Sequence, residues 1–377
     1  MIRPGELGEP ELARWRGFQR DCPALANPFL SPEFTVAVGR LRPRTRVAVL
    51  SDGPELVGFF PFERRRFGYG VPVAAGLTHC QGLVHAPDLE WDPQELLRAC
   101  GLAVWEFDNL VDGQKPFEPY QAVREPAPIM DLSGGYESYL THLRRSFVRD
   151  LQRKQRRLER DVGELRFVLG ARDHAAFRAL LGWKSAQYRR TGRADRLAAP
   201  WVASLLEELI ETRTDGFSGL LAVLYAGGEP VAGHFLLRMD GVLAGWFPAY
   251  DPRFSSFSPG LITRLRTAEA AAAAGVQQID MARGPMAYKE SFKSKDIFVA
   301  EGRITRRSPV AVLHWSRSPI RRIRNVVVRH PSLYRVADRG LRQYGRLRSV
   351  LHPTTPPRQT PREAARAHRR SAVIGEE

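Results

Sequence analysis

A ten-residue stretch, DMARGPMAYK, brings together five residues that could do chemistry: Asp280, Arg283, Gly284, Tyr288 and Lys289. A carboxylate can take a proton from an attacking nucleophile and a phenol can return one to a leaving group, so Asp280 and Tyr288 are the catalytic candidates. Arg283 and Lys289 could hold phosphate or an anionic acceptor, and Gly284 permits close backbone approach. Structural roles stay open: Asp280 could clamp Arg283, Tyr288 could pack in a core, and the cations could face water.

A second stretch, WFPAYDPRFSSFSPG, ends in a Ser-Pro-Gly sequence at the start of a helical pattern. Ser258 is predicted to be the N-cap and Pro259 the first helical residue. Free N–H groups and the helix dipole at such a terminus attract an anion, typically phosphate. Gly260 lacks a Cβ and permits close approach, while Ser255 and Ser256 add hydroxyl donors. Ser-Pro also begins many helices that bind nothing, so a purely structural role stays open.

These two stretches belong to one predicted βαβ unit. Strand 242–250 runs into the junction, helix 259–274 follows, and strand 276–282 returns the chain to the sheet. The strands of such a unit are parallel, so the helix N-terminus and the segment after the second strand meet at one sheet edge, where α/β proteins bind ligands. Tyr250 ends the first strand at this edge and is therefore a substrate-binding candidate.

The remaining elements supply further candidates. His79 and Gln81, in LTHCQG, are predicted to reach substrate in a cleft between two halves of the protein. His234 alternates with apolar neighbours in VAGHFLLRM, a pattern more typical of a hydrogen-bonded core histidine than of a base. The patterns also predict a hairpin over 45–65, one basic amphipathic helix over 136–161 and a meander over 220–250.

The charge of the chain is concentrated at its end. The net charge is +16, but residues from 301 onward hold 18 Arg against five Asp and Glu, a net of +13. We interpret this extension as a solvated basic segment, with peripheral contact to an anionic membrane surface as the alternative and no sequence-specific nucleic-acid binding. Three isolated cysteines indicate neither a disulfide framework nor a zinc site, so no metal is expected. The sequence has no signal-type or membrane-spanning apolar run, so we expect a soluble, cytoplasmic protein.

Three segments resemble the GNAT acyltransferase superfamily, in its CelD-like, FemAB-related branch with a BioF2-like acetyltransferase domain. They are LRRSFVRDLQRKQRRLER, GWFPAYDPRFSSFSPGL and IDMARGPMAYK, the last similar to that branch's Asp-x-x-Arg/Lys-Gly-x-x-x-Tyr-Lys pattern. Three N-terminal stretches, NPFLSPEFTVAVGRLRPRTRVAVL, VGFFPFERR and RACGLAVWEFDNL, also resemble it. The chain departs from the superfamily where FSSFSPG replaces the Gln/Arg-x-x-Gly-x-Gly/Ala loop that holds pyrophosphate in ordinary GNAT enzymes.

The resemblance implies an α/β (α+β) fold of tandem GNAT-like halves, each a mixed, mostly antiparallel sheet flanked by helices. It implies acetyl-CoA or another acyl-CoA as co-substrate, bound by the second half. We expect an N-terminal half over 1–135, an acyltransferase domain over 136–307, a basic helical extension over 308–350 and a disordered tail over 351–377. The cofactor-binding candidates are Ser255, Ser256, Ser258, Gly260, Arg283, Gly284 and Lys289.

These features predict an enzyme, an acyl-CoA-dependent N- or O-acyltransferase of the acetyltransferase kind. By resemblance its acceptor is a sugar, a polysaccharide precursor or a related envelope metabolite. Two alternatives stay open. FemAB-like transfer from a charged tRNA would use the basic surface, although the sequence has no long helical-hairpin insertion. A GNAT fold that binds no CoA could instead be a non-catalytic scaffold of an exopolysaccharide system.

Overall fold

The computed structural model of the protein describes residues 1–284 and 286–306. Its centre is a large mixed sheet. The strands of the described residues are β1 (Thr45–Asp52), β2 (Glu55–Arg64), β3 (Tyr69–Val71), β4 (Val84–His85), β5 (Val104–Val111), β6 (Gln121–Asp131), β7 (Leu165–Leu169), β8 (Arg213–Thr214), β9 (Phe217–Ala226), β10 (Glu229–Met239), β11 (Val242–Tyr250), β12 (Gln278–Asp280) and β13 (Lys295–Thr305).

Helices flank this sheet. They are α1 (Glu9–Asp21), α2 (Pro32–Leu41), α3 (Pro93–Ala99), α4 (Gly135–His142), α5 (Arg145–Val162), α6 (His174–Arg190), α7 (Pro200–Glu211), α8 (Pro259–Ala273) and α9 (Ala287–Phe292). Local sequence accounts for several of them. For example, Ser31 caps α2 by accepting a hydrogen bond from the Phe34 N–H, and Pro32 occupies the first turn. The predicted mixed α/β class, with a mostly antiparallel sheet flanked by helices, is confirmed.

The strand order explains how distant parts of the sequence come together. Across the sheet it is β1-β2-β3-β5-β13-β6-β12-β11-β10-β9-β7, with β4 beside β2 and β8 beside β9. Among the described strands, β3 with β5 and β11 with β12 pair in parallel, and the other pairs are antiparallel. The predicted βαβ unit of β11, α8 and β12 is therefore present. Strand β13 pairs with both β5 and β6, so the end of the described chain returns to the N-terminal strands.

The largest hydrophobic core also contains residues from both parts of the chain. It includes Trp15, which stacks on Phe59 with 4.8 Å between ring centroids, and Trp246, whose indole N–H donates to the Leu77 carbonyl at 2.9 Å. One compact unit holds Met1–Gln187 and, of the residues described, 195–306. The division at residue 135 stays a prediction. The predicted basic extension and tail lie outside the described residues.

Two predicted elements differ from the structure. The single helix over 136–161 is wrong, because Leu143 and Arg144 are extended and separate α4 from α5. Leu143 and Tyr139 are buried in the core that also contains Leu151, so each helix can direct its own apolar residues inward. The second strand of the βαβ unit is also shorter than 276–282, since only Gln278–Asp280 pair with β11.

An ion pair joins the end of β6 to the start of β13. The Lys295 ammonium lies 2.7 Å from Oδ2 of Asp131, and this hydrogen bond, aided by the Ser133 hydroxyl, lowers the pKa of Asp131 from 3.8 to about 2. Since the folded state favours the carboxylate, the pair stabilises the fold above about pH 4, and this contribution is lost as the pH falls toward about 2. We expect Lys295→Met to lower the free energy of unfolding by about 1 kcal/mol near neutral pH.

The measurement is the urea midpoint of wild type and Lys295→Met from neutral to acid pH. The difference between the two proteins should shrink as the pH falls and vanish near the folded-state pKa of Asp131. Lys115→Met removes the same charge from an exposed position and is the control. A difference that stays constant over the whole range would contradict the assignment.

Candidate active site

The parallel strands β11 and β12 separate soon after they meet. They pair only over Val242–Ala244 and Gln278–Asp280, and β11 continues to Tyr250 with no described strand on that side. On its other side β11 has a bulge: Leu236 pairs with Gly245 and Phe235 with Phe247, so Trp246 is the extra residue. An open edge with backbone N–H groups free of strand pairing therefore lies beyond Ala244. We call this place the strand divergence.

The N-terminus of α8 lies just after β11, with Ser258 at the N-cap position and Pro259 in the first turn as predicted, but without a side-chain cap hydrogen bond. Ser258 has the left-handed conformation, with φ of 54°, and its side chain accepts no cap hydrogen bond. The Lys154 ammonium, from α5, donates to its hydroxyl at 3.2 Å instead. The Leu261 and Ile262 N–H groups bond to the Ser258 carbonyl, whereas no residue in the described chain accepts from the Gly260 N–H. The Gly260 N–H and the Lys154 ammonium, which also pairs with Asp150 at 3.0 Å, thus lie beside this helix end.

Gly260 lies close to Tyr250. A Cβ on it would lie 3.3 Å from Cδ1 of Tyr250, so the missing side chain makes room for this tyrosine, and close approach of a ligand to the Gly260 backbone stays a prediction. Tyr250 itself is half-buried and packs beside Ile262 and Phe257. Ser255 and Ser256 are exposed on the 3-10 turn Pro252–Phe257 that precedes the helix.

Asp280 links β12 to the N-terminal part of the chain. Its Oδ2 accepts from the Asn27 amide at 3.1 Å, and its Oδ1 accepts from the Ala282 N–H at 2.7 Å. Burial raises the pKa of Asp280 above its ordinary value, against the opposing effects of these bonds and of Lys289. Both oxygens therefore already have partners, and a role as base would require one of them to be released.

The cations of the DMARGPMAYK stretch have protein partners. The Arg283 guanidinium pairs with Glu125 at 2.7 Å and Glu301 at 3.5 Å, so it faces β6 and β13 and not the strand divergence. Lys289 is buried and donates to the carbonyls of Ala282 and Arg283, which braces the loop around Gly284, a residue with φ of 113°. Neither cation faces water without a partner, and the assignment of both to a bound anion stays a prediction.

Tyr288 contacts Arg264, a residue for which the sequence predicted no role in the site. The Arg264 guanidinium, from α8, is 4.7 Å from the centroid of the Tyr288 ring and 6.0 Å from that of Phe292. Arg264 is only 6% exposed, and no carboxylate of the described residues pairs with it. Arg264 stands in the polar helical segment TRLRTAE, where a charged side chain is expected to face solvent. Its burial could therefore not be predicted from the sequence.

His79 and Gln81 differ in what they could offer a ligand. Gln81 is buried, its amide donates to Asp108 and Thr78, and its oxygen accepts from two backbone N–H groups, so it has no free group. His79 is also buried, but its Nδ1 has no hydrogen-bond partner in the described residues. Burial, with help from Lys289 and Arg196, lowers the pKa of His79 to about 3.

His234 is a second functional candidate, although its sequence pattern favoured a core role over that of a base. It is buried, as expected, yet no residue of the described chain hydrogen-bonds to its ring, so the expectation of a satisfied core histidine is wrong. A Cβ on Gly245 would lie 2.9 Å from both Cε1 and Nε2 of the ring, so only glycine allows the ring to lie against β11 at the divergence. Burial first, then Arg264, Lys184 and His79, lower the pKa of His234 well below its ordinary value.

Candidate residues from both faces of the sheet therefore lie at the strand divergence. Leu236 lies in the core under α8, and His234, two residues earlier on β10, faces the same side. Asp280 pairs with Ala244, which lies in the opposite core. Arg264 and His79 both lie close enough to His234 to influence the pKa of its ring. The structure places Arg283 and Gln81 elsewhere.

The described residues contain no cluster of three or more His, Cys, Asp or Glu side chains arranged to hold a metal ion. Within the same residues, no helix is both long enough and apolar enough to cross a membrane.

Comparison with known proteins supports the fold of this site. Residues 145–290 match the acetyltransferase (GNAT) domain family. FemX is similar in structure, at 11% sequence identity and a TM-score of 0.54 over 78% of this chain and 94% of FemX. A conserved protein of unknown function from Bacteroides thetaiotaomicron is also similar, at 11% identity and a TM-score of 0.50 over 79% of this chain and 98% of that one. No protein of curated function matches the sequence significantly.

The matched segment contains α5, β11, α8, β12 and most of α9, which are the elements around the strand divergence. The narrower resemblance to the CelD-like branch stays a prediction. The chain therefore has a fold similar to that of FemX, and its residues 145–290 match the acetyltransferase (GNAT) domain family.

Proposed function

We propose that the protein transfers an acyl group from a CoA thioester to an amine or hydroxyl. The observation that carries this proposal is the opening between β11 and β12 beside the N-terminus of α8. A thioester chain fits an edge whose backbone N–H groups lack a neighbouring strand, and the helix terminus beyond it favours phosphate. The Gly260 N–H and the Lys154 ammonium are the donors that would hold the pyrophosphate.

His234 is the base in this proposal. The acceptor's nitrogen or oxygen forms a bond to the thioester carbon, its proton passes to the uncharged imidazole, and the carbon–sulfur bond breaks. The thiolate of CoA then takes up a proton, for which Tyr288 is the donor. The lowered pKa of His234 keeps its ring uncharged at neutral pH, so a ring nitrogen is free of a proton before the reaction. N–H groups of β11 beyond Ala244 would stabilise the developing oxyanion.

The acceptor class remains the one the resemblance implies, a sugar or polysaccharide precursor. The division into halves at residue 135, the cytoplasmic location and the peripheral membrane contact of the basic extension belong to the same proposal. The alternative donor is a charged tRNA. Helix α5 carries seven Arg and Lys against three Asp and Glu, which would suit a polyanion.

The test is calorimetric titration with acetyl-CoA and with free CoA. We expect both to bind wild type, and Lys154→Met to weaken binding about 10- to 100-fold, because a charge-assisted bond to phosphate is lost. Arg153→Met is the matched control, since it removes the same charge from the next residue of α5, where the side chain is 75% exposed.

Equal affinities of wild type and Lys154→Met would remove this helix terminus from the donor site. Absence of binding to either ligand would contradict the CoA donor. Titration with charged tRNA at two salt concentrations then distinguishes aminoacyl transfer, whose binding falls steeply with salt, from a non-catalytic scaffold.

A further inference from the structure

Arg264 is a buried charge without a partner. Its side chain lies in the second turn of α8, and the residue is 6% exposed. No carboxylate, carbonyl or hydroxyl in the described part of the chain accepts a hydrogen bond from the guanidinium. Its neighbours are the aromatic rings of Tyr288 and Phe292.

Burial of the Arg264 charge without a counter-charge is unfavourable for the folded state. Burial of an unpaired ion carries a large desolvation penalty, and a cation–π contact offsets only part of it. Ordered water could satisfy some of the five N–H groups but could not supply a counter-charge. Buried polar groups in native proteins are nearly always bonded, so we seek the missing partner outside the described residues.

The surroundings indicate the sign of that partner. The charged or ionisable groups that influence His234 are Arg264 from α8, Lys184 from α6 and His79, all of them bases. The nearest acid identified at the divergence, Asp280, lies on the opposite side of the sheet with both oxygens already hydrogen-bonded. The buried surroundings of Arg264 and His234 are therefore electropositive, and a negative group is favoured there.

Arg264 is also distinct from the phosphate donors of the helix terminus. Lys154 donates a hydrogen bond to Ser258 at the N-terminus of α8, whereas Arg264 packs on Tyr288 and Phe292 of α9 in the interior. A diphosphate bound at the N-terminus of α8 would therefore leave Arg264 without a counter-charge.

We propose that the substrate carries a carboxylate or phosphate that binds Arg264 and thereby holds the reacting group beside His234. This proposal rests on the acyl-transfer function proposed above and specifies its substrate class. The anion has two sources, the far end of a dicarboxylic acyl group or the acceptor itself. In either case the ligand neutralises Arg264, which also restores basicity to the neighbouring imidazole.

The first experiment needs no turnover. Thermal unfolding is followed for wild type, Arg264→Met and Arg266→Met, with and without succinate or glucosamine 6-phosphate. We expect Arg264→Met to raise Tm without ligand, because an uncompensated buried charge is replaced by an apolar side chain. At least one anion should raise the Tm of wild type and leave that of Arg264→Met unchanged. Arg266 is the matched control: it lies on the same helix, is 38% exposed and pairs with Glu269.

The second experiment identifies the source of the anion. Acetyl-CoA is compared with succinyl-CoA as donor, and glucosamine with glucosamine 6-phosphate and ethanolamine with serine as acceptors, by the rate of free-thiol release. In one of these pairs kcat/KM should favour the anionic member about 10- to 100-fold in wild type, and Arg264→Met should abolish the preference. Arg266→Met should keep it.

The outcomes separate this proposal from the acyl-transfer proposal. If wild type does not bind acetyl-CoA, the donor assignment fails, while the anion-dependent Tm still tests Arg264. If Arg264→Met lowers Tm, or if no anion stabilises wild type, Arg264 has a structural role and the proposed anion site is wrong.

Discussion

Replacing His234 by glutamine will lower the rate of acyl transfer about 10²- to 10⁴-fold, the usual contribution of a general base, and leave acetyl-CoA affinity nearly unchanged. The rate falls without loss of affinity because His234 and the donor's phosphates occupy different places. The ring lies against Gly245 at the strand divergence, whereas the donor's phosphates are assigned to the N-terminus of α8. Glutamine preserves a polar side chain of similar reach but cannot accept and release a proton.

The measurement is free-thiol release with the best acceptor of the panel, together with calorimetry of acetyl-CoA and thermal unfolding of each variant. His174→Gln is the matched control, because His174 is exposed at the start of α6. A His234→Gln protein with normal kcat would remove the histidine from the mechanism. A protein with lowered Tm and lost CoA binding would instead assign it to packing.

The second large effect concerns stability. Gly219→Ala will lower the free energy of unfolding by about 3 kcal/mol or more, at the upper end of overpacking penalties. A Cβ on Gly219, in β9, would overlap the Leu209 carbonyl oxygen and lie 2.6 Å from its carbonyl carbon. Both atoms belong to the backbone of α7, so neither can move aside without shifting the helix from the sheet.

Gly182→Ala is the control with the opposite sign. Gly182 is exposed within α6, and a Cβ there would meet no atom within 4 Å. The substitution should raise the free energy of unfolding by up to about 1 kcal/mol, because alanine favours the helix. Urea midpoints of the two variants and wild type give the comparison. Gly219→Ala with unchanged stability would mean that α7 and β9 are packed less closely than the structure has them.

Much of the local structure could be predicted because it depends on neighbours in sequence. Ser31 and Pro32 begin α2, and the Asp-Gly-Pro turn joins β1 to β2 with Gly53 at φ of 56°. The βαβ unit with parallel β11 and β12 followed from apolar periodicity and a Ser-Pro-Gly helix start. The end of the long helix at Leu143 could not be predicted, since no proline or glycine marks it and its cause is tertiary burial.

The site, too, could be predicted only in part from the sequence. The sequence determined which residue types stand at the junction and after β12, and therefore which part of the chain the site occupies. Only the tertiary structure decided their partners: Asn27 and Trp246 reach Asp280 and Leu77 across 253 and 169 residues, and Arg283 pairs with Glu125. Long-range contacts depend on strand order, which one sequence does not state. For the same reason the sequence indicates an ordinary core residue at His234 and a surface residue at Arg264, whereas the fold buries both, without hydrogen-bond partners among the described residues.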